Sequence, residues 1–389
     1  MSIAERVPEA AAENLPGFRR SSLVSCPQYH PETVRKALRR SLDLVGSFDQ
    51  CIRPGDVVLL KPNLLSAREP EKAVTTHPEV IAAVAEVLLD CRSKIILADS
   101  PGGAAKALPA YWEKTGIRRV ADRFGIELVS LENAPIRTFE APEGFISISR
   151  LPLEVDHIIN LPKLKTHQLT RMTGAVKNMF GVVPGCRKGE LHARAPVPLH
   201  FSRFVLAIYR RVIPAWNIMD AVVAMEGNGP SSGSPRHIGA LMVSTDALAL
   251  DGVAAKLIGM ETFRLPIFQA AVEAGIWRES GEEIIPLGDD PDDFVVPDFR
   301  QPMISRIERI PSVIHQSLKK LIWIRPRADG ALCTTCGKCV QNCPVQAMTF
   351  KKGVPKINYE RCIRCGCCDE LCDDRAIYQE MSWLAKFFA

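Results

Sequence analysis

Residues 333–344 read CTTCGKCVQNCP and residues 362–372 read CIRCGCCDELC, and this pair of runs decides the fold of the C-terminal part of the chain. Each run places three cysteines at intervals of three positions and a fourth cysteine four positions after the third. Nine of the 13 cysteines in the sequence lie here, at spacings typical of metal ligands. Thiols that bind metal must stay reduced, so we expect a cytoplasmic protein rather than a disulfide-stabilised secreted one.

The spacing Cys-x2-Cys-x2-Cys-x3-Cys is the one that binds [4Fe-4S] clusters in bacterial ferredoxins. Three close thiolates surround one face of a cluster, and the fourth lies on a helical turn that points at the other cluster. The sequence therefore predicts two [4Fe-4S] clusters that exchange their fourth ligands. We expect cluster 1 to be bound by Cys333, Cys336, Cys339 and Cys372, and cluster 2 by Cys362, Cys365, Cys368 and Cys343.

Zinc is the alternative metal, because paired CxxC units also bind this ion tetrahedrally. It is the weaker hypothesis, since CxxCxxCxxxC followed by Pro344 is much more specific for iron and sulfur. The second run departs from the pattern in two ways. It ends in Asp373 and Asp374 where a proline would be expected, and the acidic pair would lower the potential of the neighbouring cluster. Cys367 adds a fifth thiol, which we expect not to be a ligand.

The sequence upstream of these runs alternates short β-branched segments with longer helical patterns, which predicts a mostly parallel sheet covered by helices. Strands are predicted at 56–61, 94–98, 157–161, 217–224 and 238–244, and helices at 31–45, 78–89, 109–124, 201–212 and 247–257. The fold class is therefore α/β, with a small C-terminal α+β ferredoxin-like domain. The predicted organisation is a loose lead-in at 1–17, the α/β domain at 18–290, a linker with an amphipathic helix at 291–327, the iron-sulfur domain at 328–380 and a tail at 381–389.

Composition excludes few functions. The chain is 47% hydrophobic, with 49 basic and 44 acidic side chains and a net charge of +5, as in ordinary soluble proteins. We expect no secretory signal and no transmembrane segment, because the most apolar long stretch, 204–225, is interrupted by charges and a proline. Nucleic-acid binding is disfavoured because the basic block described below has Phe180 as its single aromatic ring.

Polar or glycine-rich segments follow each predicted strand: KPNLLS (61–66), DSPGG (99–103), PKLKTH (162–167), EGNGPSSGSP (226–235) and STDA (244–247). Ligands of open α/β sheets bind outside the carboxyl ends of the strands, so these loops are where we expect a site. Lys61, Asn63 and Asp99 are predicted to bind substrate. Asp99 has an alternative role as the cap of a turn or of the following helix.

The segment 160–194 concentrates cations and glycines in about one loop and one helix. Cations so close together repel one another unless carboxylates or a bound anion balance them. A solvated basic face is the alternative, but the interleaved glycines favour a backbone shaped around an anion. From this segment the predicted catalytic residues are Lys163, Lys165, His167, Lys177 and His192. Substrate binding is predicted for Asn178 and Lys188 here, and for Glu226 after the fourth strand. We expect His167 or His192 to supply protons.

The segments NLPKLKTHQLTRMTGAVKNMFGVVPGCRKGELH (160–192), LLKPNLLS, ADSPGG, MEGNGPSSGSP and STDALALDGVA together resemble the family filed as domain of unknown function 362. The resemblance covers about residues 18–375. Family members commonly carry a ferredoxin tail with two clusters and with CxxCxCCxxxC in the second run. The resemblance implies an iron-sulfur protein of mostly unassigned activity.

These observations favour an iron-sulfur oxidoreductase, in which the tail delivers electrons to an anionic substrate bound at the strand ends. The alternative is a non-catalytic electron-transfer or redox-sensing subunit whose large domain docks a partner protein. Either function requires an electron donor or acceptor protein as a partner. The sequence supports no nicotinamide cofactor, because Gly227, Gly229 and Gly233 do not form GxGxxG. It also has no GxxxxGK(S/T) loop of the kind that binds ATP.

Overall fold

The computed structural model describes residues 18–101, 108–132, 134–278, 283–304, 321–351 and 353–388. The proposed lead-in at 1–17 and residues 305–320 of the proposed linker at 291–327 lie outside these residues. The strands of the large domain are β1 (Phe18–Ser25), β2 (Val57–Pro62), β3 (Lys94–Asp99), β4 (Glu127–Ser130), β5 (Ile136–Phe139), β6 (Ile146–Ser149), β7 (His157–Leu161), β8 (Lys163–His167), β9 (Arg171–Thr173), β10 (Trp216–Glu226), β11 (Ser234–Ser244) and β12 (Glu283–Gly288).

The helices of this domain are α1 (Pro31–Val45), α2 (Pro78–Asp90), α3 (Leu108–Lys114), α4 (Ile117–Phe124), α5 (Leu151–Glu154), α6 (Ala175–Asn178), α7 (Gly185–Arg194), α8 (Pro198–Tyr209), α9 (Ala247–Leu257) and α10 (Pro266–Glu273). Short 3-10 helices cover Phe48–Gln50, Pro70–Lys72, Met179–Val182, Thr262–Arg264 and Pro291–Phe294. Several helices begin at a proline, whose fixed φ and missing N–H suit the first turn.

The central sheet has the strand order β12-β1-β11-β10-β7-β2-β3-β4. Its pairs from β10 through β7, β2 and β3 to β4 are parallel, as is the pair β1–β12, whereas β11 is antiparallel to both β1 and β10. The predicted α/β class with a mostly parallel sheet is confirmed. The predicted strands and helices are present, except that the helix expected at 109–124 is divided into α3 and α4 by Gly116, which has φ of 75°.

Both faces of the sheet are buried under helices. Side chains alternate along each strand, so Leu59 belongs to the apolar core covered by α8, α9 and α10, while Val58 and Leu60 belong to the core covered by α1, α2 and α4. Such two-sided burial explains why the parallel strands read as nearly continuous apolar runs in the sequence.

One predicted loop is a strand. The sequence predicts an irregular segment at 162–167, but Lys163–His167 forms β8, which is parallel to β10 and antiparallel to β9. Pro162 separates β7 from β8, and both strands pair with successive parts of the 11-residue β10. The alternation of lysines with Leu164 is therefore strand periodicity, and β8 extends past the carboxyl edge of the sheet.

The ferredoxin-like domain consists of two antiparallel strand pairs and short helices. Its elements are β13 (Ile324–Ala328), α11 (Lys338–Gln341), β14 (Met348–Lys351), β15 (Val354–Ile357), α12 (Cys367–Glu370), β16 (Ile377–Met381) and α13 (Trp383–Phe388). The pair β13–β16 begins at Ile324, before the domain boundary drawn from the sequence at 328. The proposed tail contains α13, whose Ala385 packs with Ile322 and Ile324. None of the helices that the structure describes is long and apolar enough to span a bilayer.

Candidate functional site

The ends of β2 and β3 bring a lysine and a carboxylate together. Lys61 Nζ lies 2.9 Å from Asp99 Oδ2, and both side chains are buried. Asp99 also accepts hydrogen bonds from the backbone N–H groups of Leu64, at 3.0 Å, and Ser100, at 2.7 Å. Burial lowers the pKa of Lys61, although Asp99 opposes the shift by favouring the charged ammonium. This ion pair lies at the edge of the sheet where ligands of α/β proteins bind.

Lys163, on β8, is neutralised inside the α/β domain. Its Nζ lies 2.8 Å from Asp220 Oδ2 and donates a hydrogen bond of 2.7 Å to Tyr29 Oη. The ring of Tyr29 stacks on His77 with a centroid separation of 3.6 Å. Burial lowers the pKa of Lys163 against the effect of Asp220. The carboxylate accounts for this lysine without a bound anion.

Lys165 and His167, on the same strand, are also buried. Lys165 Nζ donates a hydrogen bond of 2.6 Å to the carbonyl oxygen of Val74, and burial together with nearby cations holds its pKa well below the usual range. His167 Nδ1 accepts a hydrogen bond of 3.0 Å from the backbone N–H of Leu169. The proton of the neutral ring is therefore on Nε2, which lies 3.1 Å from Glu370 Oε1 but is misaligned for a hydrogen bond.

The ligand set predicted for cluster 2 surrounds one small cavity in the ferredoxin-like domain. The cavity measures about 20 Å³, and its walls include Cys343, Cys362, Cys365 and Cys368. Cys343 comes from the first cysteine run and the other three from the second, as ligand exchange requires. Ala347 N donates a hydrogen bond of 3.2 Å to Cys343 Sγ. Backbone donors of this kind stabilise a thiolate that binds a cluster.

The thiols predicted to bind cluster 1 lie close enough to Cys339 to act on its pKa. Burial raises the pKa of Cys339 to about 11, and the nearby Cys372, Cys336 and Cys333 add to the shift because adjacent thiolates repel. Ala376 N donates a hydrogen bond of 3.1 Å to Cys372 Sγ, which matches the bond to Cys343 Sγ in the other set. Bound iron would offset this cost by replacing the thiol protons with positive charge.

The two cysteine runs repeat one backbone geometry. Thr335 and Arg364, each two residues after the first cysteine of its run, both have φ of 58°. Gly337 and Gly366, two residues further on, have φ of 78° and 84°. Non-glycine residues rarely adopt positive φ, so the repetition indicates a chain shaped around equivalent groups.

The ferredoxin-like domain is docked on the glycine-rich segment 226–235 of the α/β domain. The buried guanidinium of Arg68 donates hydrogen bonds of 2.6 Å to the carbonyl oxygens of Ser231 and Cys372. Ser231 Oγ donates to the carbonyl oxygen of Asp369 at 3.1 Å, and Ser232 Oγ donates to the Asp369 carboxylate at 2.6 Å. The segment expected to hold a ligand thus holds the second domain.

A cavity of about 360 Å³ lies between the two domains, within the size range of small-molecule sites. The α/β domain contributes the strand ends of β2 and β3 and the helices α6 and α7. The ferredoxin-like domain contributes Cys343, Pro344, Cys367 and Glu370. A ligand here would therefore contact the lysine-rich segment and the cysteine-rich domain together.

Most of the residues predicted from the sequence to form the site line this cavity. The structure brings together Lys61, Asn63, Asp99, Lys177, Asn178, Lys188 and His192. It does not place Lys163, Lys165, His167 or Glu226 in the cavity wall. Glu226 instead forms an ion pair with Arg300, whose Nε lies 2.8 Å from Glu226 Oε1.

Several polar atoms in the cavity wall have no hydrogen-bond partner among the described residues. They are Asn63 Oδ1, Thr173 Oγ1 and His192 Nδ1, all of them buried. Lys177 forms no hydrogen bond or ion pair within 4 Å in the described part of the chain. Buried polar groups are normally satisfied, so this concentration of free donors and acceptors indicates space for a polar ligand.

Burial sets the protonation states around the cavity. It lowers the pKa of Lys188 to about 8 and the pKa of His192 and His167 to about 4. Both imidazoles are therefore neutral at pH 7, which does not favour their predicted role as imidazolium acids. Burial alone would raise the pKa of Glu370, but His167 and Lys177 together outweigh it and hold that pKa well below its usual range. The Glu370 carboxylate is thus the counter-charge for the cations around it.

Glu370, Thr173 and Pro344 were missed by the sequence analysis. Glu370 lies between two predicted cysteine ligands in the second run, and an acidic residue within that run was the available signal. Its contact with His167 connects segments far apart in the chain. Local spacing carries no information about such a contact.

The profile of the family described as 4Fe-4S dicluster domain matches residues 325–373. Ferredoxin-1 of Rhodobacter capsulatus is 46% identical over 39 residues, which cover 10% of this chain and 60% of that protein. The cysteine-rich domain accordingly defines an iron-sulfur electron-transfer protein.

The profile described as Domain of unknown function (DUF362) matches residues 58–256. The thylakoid-associated protein sll1697 of Synechocystis sp. is 32% identical over 285 residues, which cover 73% of this chain and 88% of that protein. The chain belongs to the DUF362 family, here fused to a C-terminal 4Fe-4S dicluster domain. A crystal structure of a Thermotoga maritima protein matches 55% of each chain with 14% identity and a TM-score of 0.35, a likeness too small to support any argument.

Proposed function

We propose that the chain is a cytoplasmic iron-sulfur oxidoreductase that holds two [4Fe-4S] clusters and transfers electrons to or from a small anionic substrate in the interdomain cavity. The observation that carries this proposal is the composition of the cavity wall. Lys61, Lys177 and Lys188 line the same space of about 360 Å³ as Cys343, a predicted cluster ligand. When bound, [4Fe-4S] clusters supply single electrons at low potential.

The eight cysteines in ferredoxin spacing are proposed to hold the clusters, with Cys367 left as a free thiol. Of the two predicted sets, only the cluster 2 set has a member in the cavity wall among the residues that the structure describes. Arg68, which donates a hydrogen bond to the carbonyl oxygen of Cys372, and Glu370, which lies 3.1 Å from His167 Nε2, join the ferredoxin-like domain to the α/β domain. The proposed roles of the cysteines rest on their spacing and on the geometry given above.

Lys188 and Lys177 are the proposed anion-binding residues. Lys61 is neutralised by Asp99, whereas Lys177 has no carboxylate within 4 Å among the described residues and is acted on from farther away by Glu370 and Cys367. Lys188 Nζ donates a hydrogen bond to the carbonyl oxygen of Ser100, which leaves its remaining protons for a substrate carboxylate or phosphate. The number of cations free to bind an anion is therefore smaller than the sequence suggested, because carboxylates already balance several of them.

Lys188 is also the proposed proton donor. A pKa of about 8 leaves it mostly protonated at pH 7 and allows it to give up a proton to a reduced substrate. His192 Nδ1 has no partner among the described residues, and at pH 7 the neutral ring offers one donor and one acceptor to orient the substrate.

The proposal is tested with protein purified without oxygen and reduced with dithionite. Candidate carboxylates and phosphate esters are added, and the return of cluster absorbance near 400 nm is recorded. We expect at least one anion to reoxidise the protein. Lys188→Gln should raise the concentration needed for half-maximal rate about 10- to 150-fold, because a hydrogen bond to a charged group contributes about 1.5–3 kcal/mol.

Lys36→Gln is the matched control, because Lys36 is an exposed lysine paired only with Glu32. It should behave like the unchanged protein. Reoxidation by a partner protein but by no small anion would instead favour the non-catalytic electron-transfer subunit, whose large domain only docks. Iron and sulfide analysis should give eight of each per chain, and four would contradict the two-cluster assignment.

A further inference from the structure

A groove of about 450 Å³ lies on the ferredoxin-like domain, apart from the interdomain cavity. Its walls carry the aromatic rings of Trp323 and Tyr359 and the cations Arg325, Arg327 and Lys356. None of the described residues that line it belongs to the α/β domain. Trp, Tyr and Arg are the residue types enriched where proteins bind one another most strongly.

Arg325 is held in this groove by stacking alone. Its guanidinium carbon lies 4.5 Å from the ring centre of Trp323 and 4.9 Å from that of Tyr359. Tyr359 is fixed in turn by a hydrogen bond of 3.1 Å from its hydroxyl to the carbonyl oxygen of Pro326. The Arg325 side chain makes no hydrogen bond or ion pair with any residue the structure describes, and its Nε is buried without a partner. A pre-oriented guanidinium with free donors fits an incoming carboxylate.

The charge of the groove is positive. Three cations line it against one carboxylate, Glu380, which pairs with Arg327 at 2.7 Å. The sequence of residues 305–320 adds no excess of negative charge, because it contains four lysines or arginines and a single glutamate. The complementary surface therefore belongs to an acidic partner.

The groove adjoins the cavity that the cysteines of cluster 2 surround. Ile357 lines both spaces. The cysteine cavity also shares Cys343, Pro344 and Cys367 with the interdomain cavity. Groove, cysteine cavity and interdomain cavity thus follow one another through the molecule. A redox protein bound in the groove would lie next to the predicted cluster 2.

We propose that this groove is the docking site of a small acidic electron-transfer protein, with Arg325 as its central contact. The inference rests on the proposed function, because it identifies how electrons reach or leave the same site. In each encounter one electron passes between the partner's centre and this chain, so that one is oxidised as the other is reduced. No bond is formed and no proton is transferred.

The test is a binding titration between oxidised proteins, with an acidic plant-type [2Fe-2S] ferredoxin as the probe. Isothermal titration calorimetry is run at about 20 mM and 200 mM salt, since the attraction between opposite charges is screened. We expect binding that weakens with salt and that falls at least tenfold in Arg325→Glu and severalfold in Lys356→Glu. Arg210→Glu is the control. Arg210 is an exposed arginine on the α/β domain, and its replacement changes the charge by the same amount.

Intact absorbance near 400 nm shows that each variant has retained its clusters. Lys356 is exposed, so its variant remains informative if Arg325→Glu fails to fold. Equal binding by the unchanged protein, Arg325→Glu and Lys356→Glu would overturn the inference, as would an equal loss in Arg210→Glu. The dithionite assay with small anions tests the proposed function separately, because dithionite needs no docking site. If small anions reoxidise the protein but the groove variants bind the ferredoxin as well as the unchanged protein does, the docking site alone is refuted.

Discussion

Replacing Lys61 by Met tests whether the ion pair at the strand ends is a structural element of the site. Lys61 is fully buried, and its Nζ lies 2.9 Å from Asp99 Oδ2. Methionine has a similar length but no charge, so Asp99 would remain buried with only the backbone N–H groups of Leu64 and Ser100 as donors. Removing one partner of a buried pair costs about 3–5 kcal/mol of unfolding free energy, because the remaining charge is uncompensated.

For a domain of this size about 1 kcal/mol shifts the melting temperature by about 2–4 °C, so Lys61→Met should lower it by about 6–20 °C. The assay is thermal unfolding followed by far-ultraviolet circular dichroism, with absorbance near 400 nm recorded in parallel for the ferredoxin-like domain. Lys36→Met is the control, since its ion pair with Glu32 is exposed to solvent, where such pairs contribute little to stability. Melting of Lys61→Met within about 2 °C of the unchanged protein would refute the reasoning.

Two further predictions concern a buried carboxyl and the cysteines. Burial raises the pKa of Asp251 to about 7 although Ala175 N and Val176 N donate to it. The folded state therefore keeps a proton that the unfolded chain releases near pH 4. As the pH rises from about 4 to 7, the free energy of unfolding should fall by up to about 1.4 kcal/mol per pH unit. Urea unfolding should show this slope and its loss in Asp251→Asn, and an equal slope in both would contradict it. Cys343→Ala should reduce the iron content, whereas Cys367→Ala and the control Cys51→Ala should keep eight irons per chain; loss of iron in Cys367→Ala would assign that thiol as a ligand.

The strand-end loops show how far sequence reasoning reached. The rule that ligands lie at the carboxyl ends of parallel strands identified Lys61, Asn63 and Asp99 from their positions at or just after two predicted strands. The rule could not identify which lysines are free. Lys163 and Lys165 are buried on β8 and satisfied by Asp220 and by a backbone carbonyl, because β8 extends along β10.

The histidines and the glycine-rich segment illustrate a second gap. An unperturbed imidazole titrates near neutral pH, which made His167 and His192 natural candidates for proton transfer. Their burial was not visible in the sequence, and burial is what lowers the pKa of each to about 4. Likewise, segment 226–235 has the composition of a ligand loop, but Ser231 and Ser232 in it bind the second domain.

The sequence alone determined the class of the α/β fold and the iron-sulfur character of the C-terminal domain. Both depend on regular local spacing, namely the alternation of strand and helix patterns and the intervals between cysteines. Such spacing can be recognised in a segment without knowing which other segments it contacts. Only the tertiary structure decided which charges are neutralised and that Lys188 and Cys343 border one cavity. Those properties depend on distances between segments remote in the chain and on the exclusion of water between them, and neither is encoded in local spacing.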